Sequence, residues 1–246
     1  MENVIGKVNS LESFGSTDGP GIRYVIFLQG CHMRCKYCHN PETWALEGGE
    51  EYTAADLLNK AMRYKNYWGK EGGITVSGGE ALLQIDFVTE LFKLAKAKGV
   101  HTALDTSGNP FSMDPEYLEK FNELMEYTDL FILDIKEMDE DKHVSLTGHT
   151  NANILQLAKY LSDHNKHMWI RHVLVPDLTD DETGLQELRT FLDGLNPEMI
   201  DRVQVLPYHT LGMIKWENMG IPYALEGVHV PSEEQINKAR EILKAI

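Results

Sequence analysis

Arg23-Tyr24-Val25-Ile26-Phe27-Leu28-Gln29-Gly30-Cys31-His32-Met33-Arg34-Cys35-Lys36-Tyr37-Cys38-His39-Asn40 decides how the rest of the chain is read. The apolar run Arg23 to Leu28 predicts a strand, and all three cysteines follow it at a C-x3-C-x2-C spacing. Three thiolates on one loop at a strand end can close around a soft metal centre. A tetrahedral zinc site needs a fourth ligand, which His32 or His39 could supply. A cubane iron–sulfur cluster usually takes four cysteines, so here one iron would stay open to a small ligand. Both readings stand on ligand chemistry alone.

Outside this stretch the chain alternates strand and helix. A short leading strand is expected over Val4 to Leu11, then a turn-rich segment from Glu12 to Ile22. Further strands are expected at Ile74 to Ser77, His101 to Asp105, Leu130 to Ile135, Met168 to Val175 and Val203 to Leu206. Thr53 reads as the N-cap of a helix running to about Tyr67, and Asp114-Pro115 as an N-cap followed by a first-turn proline. Further helices are expected from Gln84 to Lys98, near Glu140 to Ser145, around Ile154 to Leu161 and from Asp180 to Asp193. Ser232-Glu233-Glu234-Gln235 is a capping box opening the last helix.

Six strands alternating with helices predict an α/β fold with a parallel sheet and outer helices, in a single domain over 1–246. Periodicity does not separate an open sheet from a partial barrel. In both, ligand chemistry belongs at the C-terminal ends of the strands. Polar groups recur there: Ser77-Gly78-Gly79-Glu80, Asp105-Thr106-Ser107-Gly108, Asp134-Ile135-Lys136, and Pro207-Tyr208-His209. Gly78-Gly79 allows close backbone approach to a ligand, or is a simple turn. Asp134 and Lys136, two apart, share a strand face. Arg171 shares a face with Trp169 and Val173, where a guanidinium needs a carboxylate partner.

The chain has 246 residues with a formal net charge of -15, from 23 Lys and Arg against 38 Asp and Glu. This argues against sequence-independent nucleic-acid binding, which rests on cationic contacts to phosphate. No apolar run reaches the ~18 residues of a membrane span. The N-terminal residues lack a signal-peptide pattern, so a cytoplasmic protein with reduced thiols is expected. The histidines at 101, 143, 149, 164, 167, 172 and 229 read as core or surface residues, and Trp44, Trp68 and Trp216 as packing groups rather than stacking platforms.

The cysteine spacing, with the aromatic Tyr37 before the last cysteine, resembles the cluster motif of the radical S-adenosylmethionine (radical SAM) enzymes. Asp18-Gly19-Pro20-Gly21-Ile22-Arg23, Gln29-Gly30-Cys31 and Tyr37-Cys38-His39-Asn40-Pro41 resemble the glycyl-radical-enzyme activases within them. The resemblance runs from Gly6 to about His229. It implies a partial (β/α)6 barrel, with Cys31, Cys35 and Cys38 holding a [4Fe-4S] cluster. It assigns Tyr37, Cys38, His39, Gly79, Asp134, Ile135, Lys136 and His209 to contacts with S-adenosylmethionine. It also implies a monovalent cation near Asp105 and Asp134, further contacts from Thr106 or Arg171, and a substrate-loop contact at Asp18. For Asp105 a helix cap is the alternative, and for Asp18 a turn.

The implied activity is reductive cleavage of S-adenosylmethionine to a 5′-deoxyadenosyl radical that takes a hydrogen atom from a glycine of a partner protein. The electron donor would be flavodoxin or ferredoxin. The chain carries no fourth cysteine. This disfavours the branch with extra cluster-binding inserts, and the ribonucleotide reductase activases are much shorter. Pyruvate formate-lyase, an enzyme of anaerobic glucose metabolism, is left as the implied partner.

Overall fold

The computed structural model describes residues 4–245. In chain order the strands are β1 (Ile5–Gly15), β2 (Arg23–Leu28), β3 (Glu50–Thr53), β4 (Gly73–Gly78), β5 (His101–Thr106), β6 (Leu130–Asp134), β7 (Met168–Leu174) and β8 (Ile200–Pro207). The helices are α1 (Ala54–Met62), α2 (Ile85–Ala97), α3 (Pro115–Glu126), α4 (Glu140–Thr147), α5 (Ala152–Asp163), α6 (Glu182–Asp193), α7 (Met213–Asn218) and α8 (Glu233–Leu243). The sheet has eight strands in the order β3-β1-β2-β4-β5-β6-β7-β8. The six expected strands are β2 and β4 to β8.

The sheet gains two strands at one end. β1 continues to Gly15, beyond the expected Leu11, because Glu12 and Gly15 pair with Val25 and Arg23 across an antiparallel ladder. β3 was not expected, and pairs with β1 from Ile5↔Thr53 to Val8↔Glu50. α1 ends at Met62, before the expected Tyr67, and a 3-10 turn over Lys65–Tyr67 replaces the missing helical turn. α6 starts at Glu182, two residues later than expected, because Asp181 caps it by accepting from Gly184 N.

Two compact units divide the chain, one formed by Met1–His32 with Thr43–Ile132, the other by Met33–Glu42 with Leu133–Ile246. In the first, β2 runs parallel to β4, with Arg23↔Gly73 and Leu28↔Gly78 at the ends of the ladder. β4 in turn runs parallel to β5. Val25, Ile26, Ile74 and Val76 are fully buried, as strands covered on both faces require. Leu57, Ala61, Phe87, Leu91, Phe92 and Phe121 give the helices of this unit their buried faces. In the second unit β7 runs parallel to β8 from Met168↔Ile200 to Leu174↔Pro207. Leu185, Leu188 and Leu192 of α6 are buried, as are Ile236, Ala239 and Leu243 of α8. Three caps form as the sequence specifies: Thr53 on α1, Asp114 on α3 and the Ser232 capping box on α8.

Candidate cluster and cofactor site

In the first unit, the loop that leaves β2 rests directly on the corner after β4. Gly79 N donates to Leu28 O at 3.0 Å and Glu80 N to Gly30 O at 2.8 Å. A Cβ at residue 79 would stand 2.2 Å from Gly30 O and 3.1 Å from Cys31 Cβ. Only glycine lets the two backbones meet, which makes Gly79 more than an ordinary turn. Gln29 and Gly30 are anchored from the far side, by Gln29 Nε2 to Ala45 O at 2.8 Å and Gly30 N to Thr43 O at 2.8 Å.

Glu80 is 2% exposed and works inside this corner. Its Oε1 accepts from Leu82 N at 3.0 Å and from Thr106 Oγ1 at 2.5 Å. Its Oε2 accepts from Ser107 N at 2.9 Å and from Ser107 Oγ. Four donors on one carboxylate tie the ends of β4 and β5 together. Thr106 is thereby occupied with Glu80. Ser77 Oγ donates to Asp105 Oδ2 at 2.8 Å. Asp105 lies within β5 and starts no helix, so the capping alternative does not hold.

Asp18 belongs to the floor beneath this face. Thr75 Oγ1 donates to Asp18 O at 2.6 Å, and Thr75 shares its strand face with Ser77 two residues on. Arg23 secures the same loop, with Nε to Thr75 Oγ1 at 2.9 Å and Nη1 to Pro20 O at 3.4 Å and Glu71 O at 3.3 Å.

In the second unit, the rest of the cysteine loop packs on the end of α4. Arg34 N donates to Thr147 O at 2.8 Å and Lys36 N to Leu146 O at 3.0 Å. A turn bond from Cys38 N to Cys35 O, 3.0 Å long, brings the last two cysteines to one side. Beside them stands Lys136, 7% exposed, with Nζ 2.8 Å from Asp134 Oδ2 and 5.8 Å from the Tyr37 ring centroid. Burial alone would lower the Lys136 pKa, but Asp134 overrides it and holds the ammonium well above its ordinary value. The two side chains meet in a largely buried ion pair, although β6 ends at Asp134 and Lys136 lies just past it.

Ile135 is 1% exposed; its N donates to Arg171 O at 2.9 Å and its O meets His172 Nδ1 at 3.0 Å. It sets the strand end and offers little surface. Arg171 is buried and donates from Nε to Gln204 Oε1 at 3.2 Å. The rings of His39 and His209 pack 4.2 Å apart at 30°, and burial followed by His209 lowers the His39 pKa.

Among the described residues, no three His, Cys, Asp or Glu side chains close into a site for one metal ion. The donor chemistry fits a soft cluster. None of the three cysteines is in a disulfide, and burial pushes the Cys35 thiol up to about 11 despite the opposing Lys136. A thiolate there needs a bound cation to hold it. Burial also raises the Tyr37 phenol, whose Oη is buried without a hydrogen-bond partner among the described residues.

Sequence reading took Trp216 for a packing group and did not single out Lys215. Trp216 Nε1 donates to Cys38 O at 2.8 Å, and Lys215 Nζ reaches Asn40 Oδ1 at 2.7 Å and Glu42 Oε1 at 2.5 Å. No local signal marks contacts across more than 170 residues of chain.

Residues 25–187 match the Radical SAM superfamily. A radical SAM methyltransferase from Sphaerobacter thermophilus shares the fold with TM-score 0.65 at 16% identity, over 90% of this chain and 63% of that one. The pyruvate formate-lyase-activating enzyme of Streptococcus mutans serotype c is 54% identical over 244 residues, 98% of this chain and 92% of the relative. That of Listeria monocytogenes serovar 1/2a is 49% identical over 245 residues, 99% of this chain and 98% of the relative. A domain of the pyruvate-formate lyase-activating enzyme from Bacteroides vulgatus matches with TM-score 0.56 at 26% identity, over 70% of this chain and 93% of that one. The chain belongs to the radical SAM superfamily and, within it, to the family of pyruvate formate-lyase-activating enzymes.

Proposed function

We propose that this chain is the activase that installs the glycyl radical of pyruvate formate-lyase. The observation that carries the reading is the buried Lys136–Asp134 pair, set beside Tyr37 and Cys35 in a chain of this family. When bound, a [4Fe-4S] cluster and S-adenosylmethionine supply the one-electron cleavage that yields the 5′-deoxyadenosyl radical, which takes the glycine hydrogen.

The protein's own part is ligation, orientation and exclusion of water. Cys31, Cys35 and Cys38 would hold the cluster, three thiolates for four irons, so that one iron would be left for a small ligand. Lys136, with its bond to Asp134 and two further donors, suits the methionine carboxylate. The family resemblance gives the backbone at Gly79 to the methionine amino group, and His209 would suit a ribose hydroxyl. The Tyr37 and His39 rings would offer faces to the cofactor. Asp18 is given to the incoming glycine segment by the family resemblance alone, its carbonyl being held by Thr75. That segment must leave its own fold to enter, an ordering cost offset by binding. Flavodoxin or ferredoxin is the electron donor in this reading, and the cytoplasm its compartment. No helix among the described residues is long and apolar enough to cross a membrane.

Anaerobic purification with iron and sulfide analysis, and EPR of the reduced protein with and without S-adenosylmethionine, test the reading. About four iron per chain, a spectrum altered by S-adenosylmethionine, and a glycyl radical on added pyruvate formate-lyase are expected. Zinc in place of iron, with no response to S-adenosylmethionine after reconstitution, would overturn it.

A further inference from the structure

Residues 209–216 close on the chain as it leaves the third cysteine. Trp216 is 4% exposed, and its N–H points at the main-chain carbonyl of Cys38, 2.8 Å away. Lys215, on the next position of α7, spans Asn40 and Glu42. A Cβ at Gly212 would stand 3.0 Å from His39 Cδ2 and 3.1 Å from His39 Cα, so the backbone before α7 lies against His39. The His209 ring covers the same histidine.

Behind Trp216 a second row holds the indole in place. Tyr223 meets it edge-on with centroids 5.2 Å apart, and Tyr223 Oη donates to Tyr208 Oη at 2.9 Å. Tyr208 is buried at the end of β8, where its N donates to Leu174 O at 3.0 Å. A continuous series of contacts therefore runs from the ends of β7 and β8 through Tyr208, Tyr223 and Trp216 to Cys38. A buried indole N–H takes an acceptor, and here the acceptor is the main-chain carbonyl of a candidate ligand.

We propose that Trp216 and Lys215 are positioning residues for the third cysteine. Trp216 fixes the Cys38 carbonyl and Lys215 fixes Asn40 and Glu42, just beyond His39. Together they set the direction from which the Cys38 thiolate and the His39 ring project. Ligands of a metal centre are oriented by such outer partners, and loosening one weakens the centre without removing a ligand. The inference rests on the cysteine loop being a cluster site.

The test uses the full chain reconstituted anaerobically, with Trp216→Phe, which keeps a ring and removes the N–H, and Lys215→Met with Lys215→Arg as its conservative counterpart. Two properties are read: the rate of iron loss to a ferrous chelator, and the change that S-adenosylmethionine makes to the EPR spectrum of the reduced cluster. Trp216→Phe is expected to lose iron about five-fold faster, the factor for one neutral hydrogen bond, and to broaden the spectrum formed with S-adenosylmethionine. Lys215→Met shifts both in the same direction, and Lys215→Arg restores them. Melting of the cluster-free chain is the control for folding.

Wild-type rates and spectra in both Trp216→Phe and Lys215→Met would overturn the proposal, as would iron loss explained by an equal loss of melting temperature. Should Trp216→Phe not fold, Lys215→Met decides by the same readings. A wild-type chain that takes up no cluster defeats the cluster site itself and the inference with it. A wild-type chain that does so, with matching variants, defeats only the inference.

Discussion

Arg23 and Lys136 are both buried cations, one in each unit, and they are held in opposite ways. Arg23 is 0% exposed, and its guanidinium is spread over neutral acceptors: Thr75 Oγ1, the carbonyls of Pro20, Glu71, Ile74 and His101, and His101 Nδ1. Burial lowers its pKa to about 10, with Asp129 and Asp18 opposing at longer range. Lys136 has a carboxylate in direct contact, a ring face and thiols nearby. Arg23 joins the starts of β2, β4 and β5; Lys136 stands just past the end of β6. A buried charge is therefore no marker of a site in itself. What distinguishes the two is whether the partners use up the donors, as carbonyls do around Arg23, or leave some for a ligand, as Asp134 does for Lys136.

The contrast breaks first at Arg23. Arg23→Met strands several buried acceptors, and a loss of about 3 kcal/mol or more in urea unfolding is expected. Unchanged stability with a lost response to S-adenosylmethionine would reverse the two roles. At Lys136 the expected effect lies in binding. Lys136→Met should fold and load iron, yet bind S-adenosylmethionine about 10- to 100-fold more weakly, as loss of a charge-assisted hydrogen bond predicts. Equilibrium binding under anaerobic conditions checks this.

Glu80 sharpens the comparison from the anionic side, since all four of its described donors are protein groups. Glu80→Gln replaces acceptor capacity with donors that face donors, and about 1–2 kcal/mol of stability should go. Thermal melting of the cluster-free chain reads that loss directly, so a change confined to cofactor binding would contradict it.

The smallest effect is on pH. Burial, followed by the charge of Arg23, depresses His101 to about 4. The unfolded chain takes up this proton near pH 6.5, the folded chain only near 4, so stability is fully present above the first value and falls as pH drops between them. Urea midpoints at pH 7 and pH 5 should differ in that sense, and His101→Gln should flatten the slope.

Much of this was readable from local chemistry. Thr53, Asp114 and Ser232 cap as their types dictate, because an N-cap is decided within three residues. Asp134 and Lys136 were visible for the same reason, being two apart on one strand end. β3 was not visible, since Glu50-Glu51-Tyr52-Thr53 has neither an apolar run nor clean alternation and is a strand only because β1 pairs with it. The Trp216 bond to Cys38 and the Gln204 partner of Arg171 were equally hidden, because tertiary folding alone brings those residues together.

β3 has a further consequence for the protein in concentrated solution. Among the described residues it ends the strand order, the position from which a sheet can pair with another chain. The row is four residues long and begins with two exposed glutamates. A second copy pairing there would bring two more glutamates close to those of β3, on a molecule already at a formal net charge of -15. The strand that completes one end of the sheet thus also guards it against growth into aggregates.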